Sequence, residues 1–389
     1  MRVACICADP GIPVFGCKGA SVHIQEMLRE MLNAGMDVTL FACRGFSPVP
    51  EEFRAVRVVP LFDLSGTDSD EEKASKALRG NRELRSRLMS AGPFDVVYER
   101  YSLWSFAGME YARHSGIPGI LEVNAPLPLE QKRWRKLVME HEAYQVLERI
   151  LEHASTVIAV SPGIRGWLET LPVTEGKVHV VGNGVNLTAF YKNHTKRGGI
   201  FTVVFSGTLK PWHGLNTLAE AFISLRRQRT DISLSVIGDG PERPALEHAF
   251  RSAGVDNAVT FHGGVAHCDV PALLASADAA LAPYPHFDDF YFSPLKIYEY
   301  MAAELPVITS RTGHLDSIVM HGKTGLLIPP ESPSALSDAI ITLADSPSLC
   351  RKMGEAGRLC VKQYSWKNVL RKIWLCAGIT LLTGGTDEV

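Results

Sequence analysis

Thirteen short, almost continuously apolar runs, most of them followed by a helical pattern, constrain this chain more than any other feature. They cover residues 3–8, 37–42, 56–59, 95–99, 119–123, 156–160 and 178–181 in the first half. In the second half they cover 201–206, 232–237, 258–261, 279–282, 306–310 and 325–328. Runs that are apolar throughout, rather than alternating, are the mark of parallel strands covered on both faces. Alternation of such strands with helices predicts α/β doubly wound sheets. Thirteen strands exceed what one open, twisted sheet comfortably holds, so two sheets are expected. With 389 residues and 46% hydrophobic content, the chain is large enough to build both.

The organisation expected from composition is a first domain over 1–185, a linker over 186–199, a second domain over 200–363 and a tail helix over 364–389. The segment 182–199 is rich in Gly, Asn and Lys and lacks strand or helix periodicity. In the tail, Trp366, Val369, Leu370, Ile373 and Trp374 recur at helical spacing. Docking onto the first domain and capping the second are both open for it. The charged stretch 66–87 reads as a helical, solvated insertion.

Several function classes are disfavoured. Forty Lys and Arg against 42 Asp and Glu give a net charge of −2, poor for a nucleic-acid binder. Eight cysteines without CxxC pairs or Cys/His metal spacing point to reduced thiols in a cytoplasm. The start offers only six apolar residues after Met-Arg, too few for a signal peptide, and no run approaches the ~20 that span a membrane. The sequons at Asn186 and Asn193 therefore carry little weight. Asp68-Ser-Asp70 lies in the charged insertion rather than at a strand end, so no metal site is expected there.

Four strand-to-helix connections carry candidate chemistry. After the first strand, DPGIPVFGCKGAS (9–21) places Gly11, Gly16 and Gly19 where backbone amides could approach an anionic ligand. Its spacing is not GxGxxG, which disfavours NAD. In FSGTLKPWHGL (205–215), Gly207 sits in the turn while Lys210 and His213 could converge on phosphate oxygens. In SPLKIYEYMAAELPV (293–307), Ser293 is expected as helix N-cap and Pro294 as first helical residue. Leu295 and Glu299 fall on the stripe expected to be buried, where a carboxylate needs a partner. Lys296 stands in the first turn, where the helix dipole disfavours a cation unless an anion binds. The fourth is LEVNAPLPLE (121–130), with Glu122, Asn124 and Glu130 at a strand's carboxyl end. QKRWRK (131–136) is a basic, aromatic patch, read first as a solvated helix face, with peripheral membrane contact left open.

Together with IGDGPE (237–242) and GKTGLLIP (322–329), segments 205–214 and 293–307 resemble the C-terminal half of family 4 retaining glycosyltransferases. VGNGVN (181–186) resembles that family's linker signature, and residues 16–23 its acceptor-domain start. The resemblance implies the GT-B fold: two Rossmann-like, doubly wound parallel-sheet domains facing each other across a cleft. It implies a nucleotide-sugar co-substrate; a UDP-sugar is favoured as the commonest donor, and no other cofactor and no metal are expected, because cations of the chain itself can stabilise the diphosphate. The acceptor would be a carbohydrate, a lipid-linked sugar or a small molecule. Glu299 matches the second Glu of the family's Glu-x7-Glu motif, which holds the ribose; the first falls on Tyr291. Thr208 and His213 occupy the positions of the family's Arg and Lys on the diphosphate, with Lys210 and Lys296 as substitutes. Asn124 stands where the family often has His. The expected catalytic set is thus Lys210, His213 and Asn124. Gly16, Gly19, Gly207, Ser293, Pro294, Leu295, Lys296 and Glu299 are expected on the donor. An epimerase of the same architecture and a non-catalytic nucleotide-sugar-binding subunit are the alternatives.

Overall fold

The computed structural model describes residues 1–64, 66, 69–190 and 199–380. Strands β1 (Arg2–Cys7), β2 (Asp37–Ala42), β3 (Arg57–Pro60), β4 (Val96–Arg100), β5 (Gly119–Val123), β6 (Thr156–Ala159) and β7 (Val178–Val180) form one sheet. Its order is β3-β2-β1-β4-β5-β6-β7. Strands β8 (Phe201–Ser206), β9 (Ile232–Ile237), β10 (Val259–Gly263), β11 (Ala279–Ala282), β12 (Val307–Ser310) and β13 (Gly325–Ile328) form another, ordered β10-β9-β8-β11-β12-β13. Every pairing in both sheets is parallel. The strand order reverses between β1 and β4 in the first sheet and between β8 and β11 in the second. In doubly wound sheets, ligands bind at the carboxyl ends of such switch strands.

The chain divides into two units. The first comprises Met1–Asn183, Tyr291–Ser293 and the chain from Trp366; the second comprises Gly184–Phe290 and Pro294–Ser365. Tyr291–Ser293 therefore leaves the second domain to which the sequence assigned it, for reasons visible in its bonding. The Ser161 hydroxyl donates to the Tyr291 carbonyl (2.6 Å) and the Tyr291 hydroxyl donates to Glu130 (3.2 Å). The Asn183 amide side chain donates to the Ser293 carbonyl (2.6 Å), and Tyr291 and Phe292 pack on the first unit's core. Residues 191–198 of the expected linker, Asn193 and Asp68 lie outside the described residues.

The stretch expected as a solvated insertion is instead half core. Its helix (Asp70–Ala91) opens with a Ser69/Glu72 capping box and sends Leu84 and Leu88 into the first unit's interior. The C-terminal helix (Trp366–Cys376) buries Trp366, Val369, Leu370, Ile373 and Trp374 and leaves Lys367, Arg371 and Lys372 exposed. It packs on the first helix (Gly19–Asn33). Trp374 is fully buried, its ring 5.9 Å from that of Tyr98. Replacing Trp374 with Ala leaves a cavity that costs about 3–5 kcal/mol, whereas Lys367→Ala costs under about 0.5 kcal/mol. Urea unfolding of the two variants checks this; equal effects would contradict the docking.

Candidate active site

In the second unit, the residues singled out at the β8 turn and at the helix Leu295–Ala302 come together around one cation. Lys296 is 8% exposed, and its Nζ has no hydrogen-bond partner among the described residues. The ammonium lies 4.2 Å from the Phe205 ring centre and 5.7 Å from that of Tyr284. Ring faces compensate part of its lost hydration. Burial nevertheless pulls the Lys296 pKa down from 10.5 to about 7, with nearby Glu299 acting the other way. Gly207 makes this placement feasible: it has φ +139°, and a Cβ there would lie 2.7 Å from Nζ.

His213 faces the same region in a form the sequence did not anticipate. Its Nδ1 donates to the Thr208 carbonyl, so the second ring nitrogen is an acceptor when the ring is neutral. Burial, reinforced by Lys296, holds its pKa well below the ordinary histidine range. The site thus holds a neutral His213 where a cation was expected. Lys210 is half-buried, its ammonium 5.7 Å from the Trp212 ring centre.

The expected N-cap is also corrected. The helix begins at Leu295 with Pro294 as its cap and no side-chain cap bond, because the Ser293 hydroxyl accepts from the Asn183 amide (3.2 Å). The first-turn amides therefore have no side-chain acceptor, an arrangement that favours an anion. Glu299 is buried as expected, and its partner is a residue the sequence did not flag: His267 Nε2 donates to Glu299 Oε1 at 2.8 Å. The signal available was a histidine just past the Gly263-Gly264 turn at a strand's carboxyl end. The Tyr291 side chain, at the position of the first motif Glu, is engaged with Glu130 in the first unit.

The first unit gathers a different cluster. Glu122 is fully buried and bonded to His23 (2.9 Å), the Tyr98 hydroxyl, Asn124 and Arg100 (3.4 Å). Burial opposes its charge, but His23 and Arg100 outweigh it and bring its pKa to about 2. His23 Nδ1 faces Asn183 Oδ1 at 2.9 Å, and the Asn183 NH₂ is committed to Ser293, so both ring nitrogens of His23 face acceptors. Asn124 is thus a ligand of Glu122. The first part of the glycine loop, residues 11–16, spends its amides internally, whereas the first helix opens at Gly19 without a side-chain cap bond. The amides of Gly11, Ile12, Val14, Phe15 and Gly16 are bonded within the loop or to Arg44 and Gly45. Gly16 has Pro13 2.8 Å from where its Cβ would be, a packing requirement, and Gly19 opens the first helix. In the basic patch, Lys132 pairs with Glu140 and Lys136 with Glu71. Among the described residues no helix is long and apolar enough to cross a membrane.

The profile described as Glycosyltransferase Family 4 matches residues 18–189, and that described as Glycosyl transferases group 1 matches 200–346. The chain belongs to glycosyltransferase family 4. It is 25% identical to the MMP alpha-(1->4)-mannosyltransferase of Mycolicibacterium hassiacum, over 91% of this chain and 92% of that one. Its fold is that of sucrose-phosphate synthase from Thermosynechococcus elongatus (TM-score 0.79, 22% identity, 96% and 98% coverage). Anabaena Alr3699/HepE in complex with UDP and glucose has the same fold (TM-score 0.74, 17% identity, 97% and 99% coverage). Family 4 membership and the two all-parallel sheets make this a GT-B glycosyltransferase.

The buried lysine has a measurable signature in the stability of the protein. With a folded pKa near 7 against an ordinary 10.5, Lys296 weakens the fold in full below about pH 7, where it is charged in both states. The cost fades between pH 7 and 10.5. Lys296→Met is therefore expected to be more stable than the parent at pH 6, with the gap narrowing by pH 10. Urea titrations at both pH values test this; a gap independent of pH would contradict it.

Proposed function

We propose that this glycosyltransferase moves a hexosyl unit from a nucleoside-diphosphate sugar, a UDP-sugar by preference, to a carbohydrate, lipid-linked or small-molecule acceptor, with retention at the anomeric carbon. The observation that carries the reading is the buried Lys296 ammonium at the β8 switch point, which has no hydrogen-bond partner among the described residues. A buried charge without a partner is costly, and a diphosphate would supply the missing acceptors.

The barrier in such a transfer is charge separation: negative charge grows on the departing diphosphate while the sugar becomes oxocarbenium-like. Lys296 Nζ and the amides of Leu295 and Lys296 would meet that charge without reorganising, and Lys210 would add to it from the β8 turn. His213 would join as a donor only after taking up a proton, which an adjacent anion favours. Glu299, acceptor-only when ionised, would take the ribose hydroxyls. Asn124, half-buried just past β5 and held by Glu122, would orient the acceptor. The HepE complex with UDP and glucose supports a uridine nucleotide as the first donor to test.

Loss of one such donor costs about 10²–10³ in turnover, so Lys296→Met should lower kcat/KM at least about a hundredfold. Activity should persist in EDTA, since this chain's own cations neutralise the leaving group. Binding of UDP should take up protons above pH 7, because the diphosphate restores the Lys296 charge that burial removes. Affinity then falls between pH 7 and 10 in the parent and stays flatter in Lys296→Met. Calorimetry in buffers of different ionisation enthalpy measures this. Unchanged kcat/KM and an absence of proton uptake would exclude Lys296 from the diphosphate site.

A further inference from the structure

Lys296 and Glu299 stand three residues apart on one helix, a spacing at which opposite charges ordinarily pair. They do not. Among the described residues the ammonium has no hydrogen-bond partner, and the carboxylate bonds away from it to His267, on the turn that follows β10. We propose that His267 is a positioning residue that keeps Glu299 off Lys296, so that the cation stays available to a diphosphate and the carboxylate to a ribose. The inference rests on the reading of the donor site above.

The geometry is specific. A carboxylate only accepts, so His267 Nε2 carries the proton in the 2.8 Å bond. The His267 ring meets the Phe190 ring edge to face at 6.2 Å, which fixes its plane. The bond occupies Oε1 and leaves Oε2 to accept from a diol. Described titratable groups near the pair include His213 and Lys210 from the β8 turn, Tyr284 after β11 and Tyr300 on the helix itself. None of these is a carboxylate, and Glu299 is the anion that acts on Lys296. A collapsed Lys296–Glu299 pair would oppose both halves of a nucleoside diphosphate at once.

The test is UDP binding by calorimetry between pH 6 and 10 for His267→Ala, His267→Gln and Glu299→Gln in the full chain. Losing a charge-assisted bond is expected to weaken UDP about ten- to a hundredfold in His267→Ala. His267→Gln, whose amide can still donate to Glu299, should recover most of that loss. In His267→Ala the fall in affinity with pH should also move to higher pH, because the paired ammonium holds its proton longer. Parent-like UDP binding by His267→Ala, with Glu299→Gln impaired, would overturn this inference alone. So would a loss that glutamine does not restore and that leaves the pH profile in place, which is the behaviour of a merely structural histidine. Parent-like binding by Glu299→Gln would overturn the ribose assignment and this inference with it.

Discussion

A buried lysine nitrogen held beside two aromatic rings, with no hydrogen-bond partner among the described residues, is the constraint around which the second unit's candidate site is built. Four otherwise separate features of the chain fit around Lys296. Gly207 adopts φ +139°, which favours glycine, and leaves room for Nζ, while Phe205 and Tyr284 supply ring faces in place of water. The helix from Leu295 begins without a side-chain cap, and Glu299 bonds to His267 rather than to the nearer-in-sequence lysine. Each is an unfavourable or unusual choice by itself. Together they leave a buried lysine without a hydrogen-bond partner among the described residues, which is what the proposed diphosphate site asks for.

The first unit solves the opposite problem. Glu122 is a carboxylate with almost no exposure, and it is kept ionised by converging donors: His23, Tyr98, Asn124 and Arg100. His23 then reaches Asn183, whose NH₂ and backbone amide bind Ser293. The Trp366 indole lies 4.9 Å from the His23 ring, so the C-terminal helix closes over the same cluster. A polar network so fully satisfied specifies one arrangement of the segments that meet there.

The strands were legible because parallel strands covered on both faces must be apolar at every position, and that pattern survives without knowledge of what packs on what. The burial of Glu299 and the anomaly of Lys296 in a first turn were legible for a similar local reason, helical spacing. The failures are all non-local. Ser293 looks like a cap from its neighbours, but its hydroxyl is claimed by Asn183, 110 residues earlier. His213 looks cationic until the burial that silences it and the Lys296 charge beside it are seen. His267 could not be tied to Glu299 because no periodicity links a strand-end turn to a helix 32 residues later. The amides of residues 11–16 are spent within their loop and on Arg44 and Gly45, a pairing invisible in sequence.

A structure of the chain bound to UDP addresses the central assertion most directly. Phosphate oxygens within about 3 Å of Lys296 Nζ, at the amino end of the helix from Leu295, are the predicted result. A diphosphate bound elsewhere, with the ammonium still facing only Phe205 and Tyr284, would contradict it.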